Sequence, residues 1–402
     1  MISVHKARSL LLQNVSPLPV EKIPVMKSCG FILAGEVRAP MNLPPFTNAA
    51  MDGFAIECSH ARPPGGWKIT GEAKAGSGVA GNVHRGETVR IFTGAPIPAG
   101  ADTVIPIENI RRKGNYIYTV GSFRRGDHVR KQGSDVREGT LVFSPRTKIT
   151  PAAIALLSAL GIMEIPVFRK PRVSVIVTGA ELREPGQPLV PGKIYDSSSS
   201  MLHALLGSLN LPVNCLRTSD APEEILRQVK KAMRTSEVIL TCGGISEGKY
   251  DYVRRILQRL NVRTLFHGVA QKPGKPLYAG RYRRKIILGL PGNPAATFVC
   301  FYEYALPVLR RCMGYPEGKC GLPVKIFPNG ASRRKKKGRT HFLRARIRKG
   351  KVFSLPGQDS FRLRSLPETE ALLVFPEGST ALATGSRARV HLLYENENLF
   401  SR

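Results

Sequence analysis

The sequence predicts a multidomain α/β plus β protein, and three observations predict it. From Arg172 onward, short apolar runs alternate with segments of helical spacing, the pattern of a parallel-type sheet with right-handed crossovers. Between Pro44 and about Glu138 the chain is dense in turn signals (PPGG, GSG, PAGAD, RRGD) that separate short apolar runs, which predicts a small β domain. After Tyr315, runs such as VKIF, ALLVF and RVHLLY are broken by basic or turn residues, which predicts a small β-rich C-terminal domain. At 402 residues the chain exceeds one ordinary core, and roughly two to four domains are expected.

Taken in order, Ala7, Leu10, Leu11 and Val15 open the chain at helical spacing, and extended segments follow around Val25 and from Phe31 to Val37. Within the turn-rich region, Val89 to Phe92, Thr103 to Ile107 and Tyr116 to Val120 read as strands. Thr150 and Pro151 mark a helix start as N-cap and first helical residue, and Gly161 marks its stop. The alternating region then runs VSVIVTG as strand, Ser198 to Leu209 as helix, VNCLR as strand, Pro222 to Thr235 as helix, VILTCGG as strand and Tyr250 to Leu260 as helix. KIILGLPGNP followed by AATFVCFYEYALPVLRRCMG repeats strand, glycine-rich turn and helix, so the α/β unit closes near Gly314.

Composition narrows the function classes. Hydrophobic residues make up 42% of the chain, and its 39 Gly and 31 Pro are spread along its length, which argues against wholesale disorder. No apolar run approaches the roughly 18 to 20 residues of a membrane helix, so a cytoplasmic location is expected. The seven cysteines, at 29, 58, 215, 242, 300, 312 and 320, include no C-x-x-C pair and read as reduced core or surface residues. A net charge of +32 draws any anionic ligand. The densest run, Ala331 to Lys351, holds eleven Lys or Arg and no acid but lacks interleaved aromatic platforms, so it reads as a solvated basic face and nucleic acid is not the expected partner.

Ligands of an open parallel sheet bind beyond the carboxyl ends of its strands. Three such ends are suggestive: Thr178-Gly179 before Glu181, Thr241 through Gly243, Gly244 and Ser246, and Leu290 through Pro291, Gly292, Asn293 and Pro294. Glycines permit close backbone approach to a phosphate, and Pro294 suits the first turn of a helix. Carboxylates stand nearby at Glu181, Asp196, Asp220 and Asp251, with capping of the following helices as the plain reading of Asp196 and above all Asp220. Lys272 and Lys275 sit in AQKPGKP, stiffened by Pro273 and Pro276. Carboxylates beside an anionic ligand call for a divalent cation, and Mg²⁺ held by one or two carboxylates plus phosphate oxygens fits. The eight histidines show no zinc-hydrolase spacing.

The segments FTNAAMDGFAI, TGAPIPAGADTVIPIE, RKQGSDVREGT, TGAEL, KIYDSSSSML, GGISEGKYDYV, VAQKPGKPLYAG and LPGNPAATFVCF together resemble the molybdopterin molybdenumtransferase family, which includes the E domain of gephyrin. The resemblance runs in order across about residues 3 to 315. It implies an N-terminal helix (1–20) packing with the α/β domain, a discontinuous scaffold domain (21–43 and 139–168), an inserted small β domain (44–138), a pterin-binding α/β domain (169–314) and a C-terminal β-barrel-like domain (315–402). It also implies a homodimer whose active site lies between the inserted domain of one subunit and the α/β and C-terminal domains of the other. The implied reaction converts adenylylated molybdopterin and molybdate to molybdenum cofactor with release of AMP, with Mg²⁺ or another divalent cation as cofactor. Implied protein partners are the molybdopterin adenylyltransferase and apo-molybdoenzymes. The alternative is a non-catalytic pterin-binding or protein-anchoring scaffold of the same fold.

Carried over by motif, Asp52, Asp135, Glu181, Asp220 and Asp251 are the catalytic acids, with Glu181 and Asp251 positioning the metal. Thr93, Gly243, Gly244, Ser246, Lys272, Lys275, Pro291, Gly292, Asn293 and Ser365 bind substrate. Two departures stand out: His267-Gly268 replaces a basic residue that many relatives carry before the PGK segment, and Glu370 stands where Asn is usual, which bears on Ser365.

Overall fold

The computed structural model describes residues 1–58, 63–76, 81–245, 252–316, 322–325, 333–349, 351–383, 385 and 387–393. Two compact units result: Lys22–Val167, and Met1–Glu21 together with Phe168–Arg402.

The central sheet of the larger unit grows from β-branched runs. Val173–Thr178 and Val238–Cys242 are buried at every residue, as strands covered on both faces must be. Six strands lie in the order Val213–Thr218, Val173–Thr178, Val238–Cys242, Lys285–Leu290, Tyr278–Tyr282, Arg263–His267. Their side chains alternate between two cores. Val175, Val177, Leu240 and Leu288 pack with Ala7 and Leu11 of the Val4–Gln13 helix, Leu202 and Leu206 of Ser197–Gly207, and the helical stretch from Pro294 to Cys312. Ile176, Ile239 and Ile287 pack with Ile225 and Val229 of Pro222–Thr235 and Val253 and Leu257 of Tyr252–Arg259. Each such buried aliphatic side chain contributes about 1.5–3 kcal/mol, so the three layers fix the strand ends firmly.

The first four strands are parallel and Tyr278–Tyr282 runs antiparallel to both of its neighbours, so the parallel-type sheet is mixed at one edge. The cause is a hairpin: Tyr278–Tyr282 returns into Lys285–Leu290 through Arg283-Arg284, with Arg283 at φ +54° and its carbonyl accepting from Arg281 Nε at 2.7 Å. Two-residue hairpin turns are usually announced by Asn-Gly or Asp-Gly, and two arginines conceal this one.

The C-terminal sheet is a half-open curl. Its order is Gln271–Lys272, Thr340–Arg348, Ala371–Phe375, Arg387–Leu392, Leu322–Lys325, with Lys351–Ser354 also on Thr340–Arg348. One edge therefore belongs to a loop of the α/β part, where Gln271 pairs with Thr340 and Lys272 with His341. Phe342 faces Phe298 and Val299 of the α/β helix, while Leu343, Ala345 and Ile347 face the sheet's own core.

In the Lys22–Val167 unit, a six-stranded sheet runs Thr103–Pro106, Gly53–Ile56, Glu87–Ile91, Trp67–Ala73, Tyr116–Thr119, Ile110–Lys113. A separate core joins Val25, Leu33 and Val37 to Ile149, Ala153, Leu157, Ile165 and Val167, from both sides of the turn-rich region. Thr150 caps the Pro151–Ala159 helix by accepting from Ala153 N at 3.2 Å. The extended segment expected around Val25 is corrected: the strand is Val20–Pro24, and Val25–Lys27 forms a 3₁₀ turn that buries Val25. No helix among the described residues is long and apolar enough to cross a membrane.

Candidate functional site

A cleft of about 700 Å³ opens at the carboxyl ends of the parallel strands. It lies where the chain, leaving Val173–Thr178, goes to one side of that strand and then returns on the other, the switch point at which such sheets bind ligands. All three strand ends read from the sequence meet there: Thr178 and Gly179, then Gly243 and Gly244, then Pro291, Gly292 and Asn293. Gly243 has φ +89°, and a Cβ on it would meet Thr178 O at 2.8 Å, so neighbouring turns press together in a way only glycine allows. Cys242 forms part of the floor, and burial pushes its thiol up to about 11, leaving it protonated.

Lys272 and Lys275 both line the cleft and are exposed, on either side of the buried Pro273 and Gly274. Gln271, 1% exposed, holds that backbone. Its Nε2 donates to Pro273 O at 3.0 Å and Gly274 O at 3.4 Å, and its Oε1 accepts from Tyr304 in a short hydrogen bond. Tyr304 belongs to a π-helical segment, Phe301–Ala305, a distortion often met beside functional sites. No ion pair engages Lys272 or Lys275 among the described residues, and Arg339 joins them on the lining. That arginine comes from the basic run read as a solvated face.

Among the acids, Glu181 and Asp220 line the cleft with Asp196. Asp196 is the N-cap of Ser197–Gly207, accepting from Ser199 N at 2.9 Å, as the sequence suggested. Asp220 corrects the plain reading: the helix it precedes is N-capped by Ala221 without a side-chain bond, and Asp220 Oδ2 instead accepts from Ala180 N at 2.8 Å. One carboxylate thus ties two strand-end loops together. Ser246 and Asp251 lie outside the described residues.

Ser365 is not part of the cleft lining; it is buried, 9% exposed, with its Oγ unpartnered among the described residues. Besides Arg339, the C-terminal region contributes Ser360, whose Oγ accepts from Asn293 Nδ2 at 3.2 Å. Ser360 sits in a loop organised by Arg344, 1% exposed, which donates to the carbonyls of Gly357, Asp359 and Arg362. Neither departure from the family pattern touches the cleft. His267 is held between Arg254 and Ile245 O, and Glu370 accepts from Ile347 N and pairs with Arg348.

The remaining predicted residues belong to the other unit. Asp52 accepts from Thr93 N at 2.8 Å and Thr93 Oγ1 at 2.7 Å, and these bonds, helped by Arg90, hold its carboxyl below the usual range. Asp135 is exposed, on a loop whose backbone N–H donates to Leu43 O at 3.0 Å.

Comparison with known proteins bears on this arrangement. Residues 2–161 match the MoeA N-terminal region (domain I and II), 174–311 a probable molybdopterin binding domain, and 328–393 the MoeA C-terminal region (domain IV). Molybdopterin molybdenumtransferase 2 of Mycobacterium tuberculosis is 34% identical, over 97% of this chain and 99% of its own length. The chain belongs to the molybdopterin molybdenumtransferase family. A second family member, from Nostoc, is 32% identical over 96% of this chain and 92% of its own. A molybdopterin biosynthesis MoeA structure from Pyrococcus horikoshii superposes with a TM-score of 0.82 at 29% identity, covering 98% of this chain and 99% of that one. The family's probable molybdopterin binding domain coincides with the α/β region that builds the cleft.

Proposed function

We propose that this chain inserts molybdenum from molybdate into adenylylated molybdopterin with release of AMP, and that the cleft is where pterin, phosphate and oxyanion meet. One observation carries the reading: three glycine-containing strand ends, the cations Lys272, Lys275 and Arg339, and the carboxylates Glu181 and Asp220 converge on a single lining. The turns at Gly243, Gly244, Pro291, Gly292 and Asn293 cradle the pterin or its phosphate, and the lysines hold phosphate or molybdate. Fixed cations at the positions where charge develops act without reorganising at the moment of reaction. Gln271 and Arg344 are positioning residues, each fixing a loop that faces the substrate.

The donor set suits a divalent cation. Glu181 and Asp220 are hard oxygen donors on one cleft. Such donors suit Mg²⁺, which takes one or two carboxylates and fills its shell with phosphate oxygens and water; Glu181 and, by the family motif, Asp251 are the proposed ligands. When bound, the cation neutralises phosphate charge and polarises the phosphoryl group. Asp52, Thr93 and Asp135 complete the site from a second copy of the chain in a homodimer, and Asp220 braces the loop that presents Glu181. Molybdopterin adenylyltransferase supplies the substrate and apo-molybdoenzymes take the product.

The test is direct. Purified protein incubated with adenylylated molybdopterin, Mg²⁺ and molybdate is expected to yield AMP and molybdenum cofactor in equal amounts by mass spectrometry. AMP formation no faster than in a protein-free control would sink the proposal.

A further inference from the structure

The Lys22–Val167 unit carries a sheet surface that this reaction leaves unused. Residues directly opposed in antiparallel strands share a face. Arg111 opposes Tyr118 and Lys113 opposes Tyr116, while Tyr116 also opposes Lys68 of the neighbouring strand. The alternate residues Ile117 and Trp67 are 0% and 4% exposed, so the tyrosine side is the outer one. Tyr116 and Tyr118 are 41% and 38% exposed, and Lys68, Arg111 and Lys113 are exposed around them. The two rings stand on alternate residues of one strand, about 6.8 Å apart by strand rise. Gly66 makes room for the second: a Cβ there would meet Tyr118 Cε1 at 3.0 Å. Glu87 stands opposite Lys68 on the next strand.

Exposed aromatic rings side by side on a sheet, edged by cations, are the combination that takes unpaired bases and their phosphates. The basic run after Ala331 has charge without such rings; this face has both, in a chain of net charge +32. We propose that this face binds single-stranded nucleic acid, with bases stacked on Tyr116 and Tyr118 and phosphates on Lys68, Arg111 and Lys113. An acidic protein surface would use the three cations and leave the two rings without a partner.

The experiment is fluorescence anisotropy of the full chain with a labelled oligouridylate, with unlabelled duplex and polyglutamate as competitors. Replacing both tyrosines (Tyr116→Ala with Tyr118→Ala) is expected to weaken binding at least about tenfold. Phenylalanine at both positions should restore it, and the logarithm of affinity should fall with log salt at a slope steeper than about −2, three phosphates' worth. AMP release by the variants, which lie outside the cleft, should be unchanged and so report an intact fold. Absence of binding, undiminished binding by the double alanine variant, or equal competition by polyglutamate would overturn the proposal.

Discussion

The two ends of the parallel strands treat charge in opposite ways. At the amino ends, Glu237 accepts from Arg169 Nη2 at 3.1 Å, Arg172 Nη2 at 3.0 Å and Arg172 N at 2.8 Å, all partners at the entry to Val173–Thr178. Burial raises its pKa, but these bonds outweigh burial and bring the carboxyl down to about 2. At the carboxyl ends, Glu181, Lys272 and Lys275 share one cleft and no ion pair engages any of them among the described residues. Charge that is fully compensated holds the sheet; charge left uncompensated in a cleft is available to a ligand.

This contrast breaks if substitutions at the two ends behave alike. The largest effect is expected from Lys275→Ala and Lys272→Ala, each lowering kcat/KM for cofactor formation by about 10²-fold or more while leaving the melting temperature unchanged. Glu237→Gln should do the reverse, costing roughly 2–3 kcal/mol of stability with activity per folded molecule retained. Its pH dependence has a fixed sign. Because the folded pKa is depressed, the contribution is complete above the unfolded value of about 4.3 and disappears as pH falls toward about 2, so the stability gap between wild type and variant should close over that window in denaturant titrations.

Two smaller effects sharpen the comparison. Gln271→Leu removes the donors to Pro273 and Gly274 carbonyls and should reduce kcat/KM about tenfold, because misplacing the lysine loop weakens positioning without removing charge. A rescue of activity by added molybdate in this variant, but not in Lys275→Ala, would separate loop position from loop charge. Asp196→Ala should cost about 1 kcal/mol through loss of the cap, read as a shift in the denaturation midpoint.

Much of the cleft was legible because strand ends are written in short local patterns. VSVIVTG, VILTCGG and KIILGLPGNP each carry a buried strand and its glycine turn in adjacent letters. Features that depend on distant partners were not legible. Arg283-Arg284 gives no hairpin signal, so the antiparallel edge was missed. Asp220 reads as a cap because its neighbours are helical, yet its partner is Ala180, forty residues away. Gln271, Arg344 and Ser360 act through carbonyls and side chains that only folding assembles. Arg339 of the cleft lining and the buried Arg344 were both hidden in a basic run that reads as a solvated face.

The most direct measurement is anomalous diffraction at the molybdenum edge from crystals soaked in molybdate. The account predicts a peak within the cleft, in contact with Lys272 or Lys275 beside Arg339. A molybdenum peak seated elsewhere on the protein, with the cleft empty at saturating molybdate, would contradict it.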